Sequence, residues 1–173
     1  MRQLLLLIIF FAPLAFAVDV RSYGAKCDGS TDDSAAFATA VSVIPAGGGG
    51  TITLPTNCAI ATGFTITKPV ELSSGAPGFP VAQLRAGLSG NTVITVSGVG
   101  GVKLTNIELN NNSMTSVTGV ALINATNTTL DGVIWNGGFA NAATWGLSVG
   151  TTTDPGNGNV MAAAYETSGT NSL

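Results

Sequence analysis

LTNIELN, residues 104–110, is answered further along the chain by LDGVIWN, residues 130–136, at a period of 26. Laid over one another, Leu104, Ile107, Leu109 and Asn110 fall on Leu130, Val133, Trp135 and Asn136. The same shift carries Ile94 and Val96 onto Val120 and Leu122, and Asn106 onto Gly132. Asparagine and glycine tolerate a left-handed backbone, so 106 and 132 read as equivalent corners. A further step of the same size lands on Gly146 and Ser148, and only a one-position slip recovers Leu147 and Val149. Stepping back one period is also weak. Three short strands fit in each unit, so each reads as one rung of a parallel β-helix, with strands pairing between rungs and inward apolar residues in columns. Asn110 over Asn136 then predicts a stacked asparagine at a corner, its amide bonding along the axis. The competing reading is a β-sandwich with accidental periodicity.

Working back from the repeat, Val70 to Leu72, Ala59 to Ile66 and Thr51 to Pro55 read as short strands, with a Gly/Pro-rich loop at Gly75 to Pro80. Before them Ala35, Ala36, Phe37, Ala40, Val41 and Ile44 recur at helical spacing. Thr31 or Asp32 is the expected N-cap, the acids favour the positive end of the helix dipole, and Pro45 with Gly47 to Gly50 ends it. The expectation is one short amphipathic helix over 32–44. Val18 to Tyr23 reads as a first strand.

Residues 1–17 carry Arg2, an apolar run from Leu4 to Ala12, Pro13 and the small-x-small pattern Ala15-Phe16-Ala17. This is the form of a cleavable secretory signal peptide, too short for a membrane span. No other long apolar run follows, so no membrane span is expected after cleavage. Nine acids face six bases, without a basic patch, which argues against nucleic acid as a partner. The chain has no histidine, which removes His-based metal sites, Ser-His-Asp triads and a histidine general base. Cys27 and Cys58 form an even pair in a chain expected to be secreted, which reads as a disulfide; two buried free thiols are the alternative.

The segments VRSYGAKCDGSTDDSAAFATAV, 20–41, and GGGGTITLP, 47–55, closely resemble the opening of the pectate lyase superfamily domain, shared by polygalacturonases, rhamnogalacturonase-like and epimerase-like proteins and some phage tailspikes. The family pattern has a second glycine where this chain has Cys27. Some bacterial members look similar at Cys27 and Cys58, which supports the disulfide. The resemblance implies an all-β, right-handed, single-stranded parallel β-helix over 18–150, of roughly four or five rungs, with the helix capping its N-terminal end. It implies structural roles for Gly24, Asp28, Gly29, Asp32, Asp33 and Phe37. Asp28-Gly29 reads as a turn, Asp32 and Asp33 as caps, and Phe37, Val41 and Ile44 are expected to face the first rung. Residues 151–173 read as a polar tail or an incomplete last rung.

The family's chemistry lies on the outer face of one sheet. None of the polygalacturonase motifs occurs here. Pectate lyase-like members use acids holding calcium and an arginine base, so calcium enters by family analogy alone and no cofactor is identified from the residues. Arg85, Glu108 and Asp131 are the weak catalytic candidates. Glu108 alternates with Ile107 and Leu109 and points outward from a strand. Asp131 precedes Gly132, where a corner role competes. Trp135 aligns with Leu109 and reads as core, while Trp145 is a candidate surface for stacking sugars. No outward pair of acids, or acid with base, stands out.

The resulting expectation is a secreted protein, extracellular or periplasmic, of pectate lyase or glycoside hydrolase type. It acts on or binds a polyuronide-like polysaccharide. The chain reads as an N-terminal part lacking most catalytic rungs, inactive alone, with an oligomer covering its open C-terminal end as one arrangement. The alternative is a non-catalytic structural or glycan-binding β-helix, such as a surface or tailspike-like module.

Overall fold

The computed structural model describes residues 16–55, 57–75 and 82–136, and beyond them the backbone of the strands 145–149, 160–162 and 165–166. The chain runs through β1 (Phe16–Asp19), a 3-10 turn (Val20–Tyr23), α1 (Ser34–Val43), β2 (Gly50–Thr53), β3 (Cys58–Ile60), β4 (Phe64–Ile66), β5 (Val70–Ser73), β6 (Ala82–Ala86) and β7 (Thr92–Ser97). It continues through β8 (Lys103–Thr105), β9 (Ile107–Asn110), β10 (Thr118–Ile123), β11 (Thr129–Asp131), β12 (Ile134–Asn136), β13 (Trp145–Val149), β14 (Val160–Ala162) and β15 (Tyr165–Glu166).

From β2 onward the chain visits three sheets in strict rotation. The six-stranded sheet is ordered β1-β2-β5-β8-β11-β14, the five-stranded sheet β15-β12-β9-β6-β3 and the four-stranded sheet β13-β10-β7-β4. Every registered pair is parallel. The fold is therefore all-β and all-parallel, built in successive strand triplets, with α1 at the N-terminal end. β14 and β15 fall within the stretch read as a polar tail or incomplete last rung.

Strand side chains alternate between two faces, so one face of each sheet supplies the core. On the six-stranded sheet Val18, Ile52, Leu72, Leu104 and Leu130 stand in register, all buried. On the five-stranded sheet Cys58, Leu84, Leu109 and Trp135 form the matching column, and on the four-stranded sheet Phe64, Ile94 and Val120. These residues belong to one continuous core. Each column is apolar because its members are excluded from water by neighbours above and below, at about 25 cal/mol per Å² of apolar surface.

The repeat appears directly as register: Val120 pairs Ile94, Leu130 pairs Leu104, and Trp135 pairs Leu109. The slip to Leu147 and Val149 is also real, since these pair Val120 and Leu122. The weak backward step has a physical cause. Leu104 pairs Leu72 and Leu109 pairs Leu84, so the step back is longer on the six-stranded sheet than on the five-stranded one. The extra residues sit between β5 and β6. In the next two triplets that corner shrinks to Asn106 (φ 51°) and to Gly132-Val133, with Gly132 at φ 65°. A Cβ on Gly132 would collide with Asn106 Oδ1, so glycine is required there by sterics as well as by φ. Asn110 and Asn136 are register partners at strand ends. Asn110 Oδ1 accepts the Asn112 N–H at 2.7 Å, and the Asn136 amide reaches Glu108.

The N-terminal segment departs from the expected boundaries. Val18 to Tyr23 is not one strand: β1 ends at Asp19, whose carboxylate accepts the Arg21 N–H at 2.9 Å and starts the 3-10 turn, closed by Gly24 at φ 97°. The helix spans Ser34–Val43 instead of 32–44, because Asp32 and Asp33 are spent on tying the entry loop down. Phe37, Ala40 and Val41 are buried, and the Phe37 ring stacks on Phe64 of β4 with centroids 4.7 Å apart. Ile44 packs against Gly50, where the absence of a side chain makes room for its Cδ1.

Candidate functional site

Two outward faces carry polar side chains. On the five-stranded sheet the pleat turns Gln83 and Arg85 outward from β6, Glu108 and Asn110 from β9, and Asn136 from β12. Register sets Gln83 beside Glu108 and Arg85 beside Asn110. Glu108 Oε1 accepts the Gln83 amide at 2.5 Å and the Asn136 amide at 2.7 Å. Its other oxygen takes no hydrogen bond from the described residues. A strand carboxylate is thus fixed by amides from both neighbouring strands while half its acceptor capacity stays open.

Arg85 lies diagonally across from Glu108 on the same face. Its Nη2 donates to Asn112 Oδ1 at 2.6 Å, and its Nη1 reaches the Gly29 carbonyl at 3.5 Å. Asn112 is itself held, donating its amide to the Ala86 carbonyl at 3.2 Å from a left-handed backbone (φ 54°). Arg85 Nε is buried and has no hydrogen-bond partner among the described residues. Such an orphan donor costs about 1–3 kcal/mol.

On the six-stranded sheet Glu71 of β5, Lys103 of β8 and Asp131 of β11 point outward. Lys103 Nζ is 3.7 Å from Glu71 Oε1 and 3.9 Å from Asp131 Oδ2. Thr105 donates its hydroxyl to Glu71 Oε1 at 2.8 Å. A shallow groove of about 280 Å³ opens beside them, lined by Gly49, Gly50, Thr51, Pro69, Val70, Glu71, Gly101 and Lys103. The three charges are well exposed, and pairs of this kind contribute about 0–1 kcal/mol to stability.

The structure therefore gathers Glu108 and Arg85 on one face and puts Asp131 on another. Glu71 and Lys103 were missed in the sequence as an outward acid–base pair. They are register partners across the longer step, so a search at the shorter period cannot align them. The Gly/Pro-rich stretch at 75–80 was the available signal that this unit carries an insertion. The side chain of Trp145 lies outside the described residues.

The acid-rich loop before α1 spends its hydrogen bonds on the protein itself. Cys27 and Cys58 are joined by a disulfide, S–S 2.04 Å, which ties this loop to the start of β3. Buried Asp33 accepts the N–H groups of Lys26 at 2.6 Å and Cys27 at 3.0 Å. Cys27, Asp33 and Cys58 bring donor atoms within 4.8 Å of one another, but the two sulfurs are bonded together and offer no thiolate in this state. Asp32 Oδ1 accepts the Ser34 N–H at 3.0 Å and the Ala61 N–H at 2.9 Å. Burial raises the pKa of Asp32, but the bonds from Ser34 and Ala61 outweigh it and leave the carboxyl below its usual range. Asp28 Oδ1 accepts the N–H groups of Thr31 and Ser30, which hold its pKa far below the ordinary value. Gly29 follows at φ 77°, its N–H bonded to the Asn57 carbonyl at 2.9 Å.

No protein-family model matches the chain, and no curated protein matches it. Among solved structures, ORF18 of Geobacillus virus E2 is similar, with a TM-score of 0.65 and 20% identity over 87% of this chain. The chain spans 36% of that viral protein's length. A protein from Parabacteroides merdae named "putative glycosyl hydrolase" aligns at TM-score 0.45 and 12% identity, over 87% of this chain and 96% of its own. At so low an identity the viral likeness speaks to the fold alone.

Proposed function

We propose that the chain is a secreted, right-handed, single-stranded parallel β-helix of the pectate lyase superfamily type. In this reading it binds a polyuronide-like polysaccharide along the outer face of the five-stranded sheet. The rotation of strands through three parallel sheets supports the architecture, the motif at 20–55 supports the superfamily, and the disulfide fits an oxidising compartment. The observation that carries the binding site is Glu108, pinned by Gln83 and Asn136 with one oxygen open, on the face that also presents Arg85. A carboxylate oxygen accepts sugar hydroxyls, and a guanidinium suits the carboxylates of a uronate. Hydrolysis requires two facing carboxylates, and the described strands of this face offer one, which favours binding over hydrolysis as the role of this face.

Retention by immobilised polygalacturonate and by a neutral galactan is the test. Arg85→Gln is expected to weaken polygalacturonate binding by roughly tenfold and galactan binding less, since a charge-assisted contact is lost. Glu108→Gln weakens both. Wild-type protein retained by neither polymer overturns the reading.

A second reading rests on Glu71, Lys103 and Asp131. The two acids approach one ammonium at 3.7 and 3.9 Å, beside a groove. That brings them close enough for the separations of roughly 5–9.5 Å used by glycosidase pairs. Reducing or unsaturated ends released from a polysaccharide, with or without calcium, and abolished by Glu71→Gln or Asp131→Asn, would establish catalysis there.

A further inference from the structure

The geometry points to a positioning role for the disulfide-anchored turn at residues 27–30: it sets the guanidinium of Arg85 on the ligand face, so the redox state of Cys27–Cys58 controls that face. The functional half of this inference rests on the glycan-binding reading above; the structural half does not.

Arg85 belongs to β6, yet one of its two held nitrogens is held by a residue 56 positions earlier, through the Gly29 carbonyl. That carbonyl is fixed from several sides. The Gly29 N–H is bonded to Asn57, the residue before Cys58. Cys27, just ahead of the Asp28-Gly29 pair, is bonded to Cys58 and has its N–H on buried Asp33. Asp28 closes the turn onto Thr31 and Ser30. On the other side Asn112 grips Nη2 from its own anchored position. The guanidinium is therefore clamped between the N-terminal turn and the corner after β9. A Cβ at Gly29 would stand 3.3 Å from Arg85 Nη1, close enough to push it by a few tenths of an ångström, and φ 77° would strain any side chain there. Two-electron reduction by a dithiol would break the Cys27–Cys58 bond, convert both sulfurs to thiols and oxidise the dithiol to its own disulfide. The turn then keeps only its hydrogen bonds.

Arginine-selective dione labelling, read by mass spectrometry, tests the positioning without any ligand. Arg21, 58% exposed and distant in the chain, is the internal reference. In the Cys27→Ala/Cys58→Ala protein, and in folded protein kept in dithiol, the labelling rate of Arg85 relative to Arg21 is expected to rise several-fold. An unchanged ratio overturns the inference. Gly29→Ala, which leaves the disulfide intact, guards against a double variant that fails to fold. It is expected to raise Arg85 labelling and to weaken polygalacturonate retention several-fold, with no added loss in an Arg85→Gln background. A Gly29→Ala effect of full size in that background overturns the coupling to Arg85. A labelling change with no polysaccharide bound by wild-type protein upholds the positioning and overturns the glycan reading.

Discussion

Asp32 and Asp33 are adjacent, both precede α1, and do different work. Asp33 occupies the capping position but turns its carboxylate back onto Lys26 and Cys27, while Asp32 takes the Ser34 N–H and bridges to Ala61 in the corner after β3. Sequence logic reaches the pair as helix-start residues, because carboxylates satisfy the free N–H groups of a first turn. It does not reach the division of labour, because the partners Lys26 and Ala61 are fixed only once the loop is folded. Asp28 and Asp32 both titrate below their usual range in the folded protein. A carboxyl with depressed folded pKa gives stability that is present above the unfolded value, about 3.9, and is lost as pH falls through the folded value. The urea midpoint is therefore expected to be flat near neutrality and to fall as pH drops below about 4. Asp32→Asn should flatten part of that slope while lowering the neutral plateau.

Among elements, α1 shows how much a short helix owes to its contacts. Ten residues are too few for an independent helix in water. Its stability comes from Phe37, Ala40 and Val41 resting on the open end of the strand stack, with Phe37 on Phe64. Phe37→Ala should cost about 3–5 kcal/mol and expose the end of the core. Chemical denaturation together with increased dye binding to apolar surface would measure it, and a loss under about 1 kcal/mol would contradict the capping account. The helix was legible from its punctuation, the acids before it and Pro45 with the glycines after it. Amphipathicity contributed less, since its apolar residues are only weakly gathered on one face. The first strand was not, because Val20 is apolar and buried in a 3-10 turn, and a buried residue looks the same in either conformation.

For the whole molecule, the repeat was legible where corners are one or two residues long and faded wherever a corner grew. Columns of leucine, isoleucine and valine mark the core, but only register says which leucine stands over which. That is why Glu71 and Lys103 stayed apart in the sequence, and why Glu108 and Arg85 were singled out without being joined. Each triplet contacts chiefly the ones before and after it, so stability should follow a nearest-neighbour pattern. Amide hydrogen exchange is expected to be slowest in β5 to β10, which have partners on both sides, and faster in β14 and β15. Uniform protection from β1 to β15 would argue for a different cooperative unit.

The corner between β5 and β6 absorbs several residues that the corner at Asn106 does without, yet Leu72 still meets Leu104 and Leu84 still meets Leu109. Length there is decoupled from the core. A foreign peptide spliced at that corner is expected to leave both columns in register, whereas one at Asn106 or Gly132 would break into the close approach of those two residues. The molecule thus offers evolution, or an engineer, a place where chain can be added without disturbing the columns of the core.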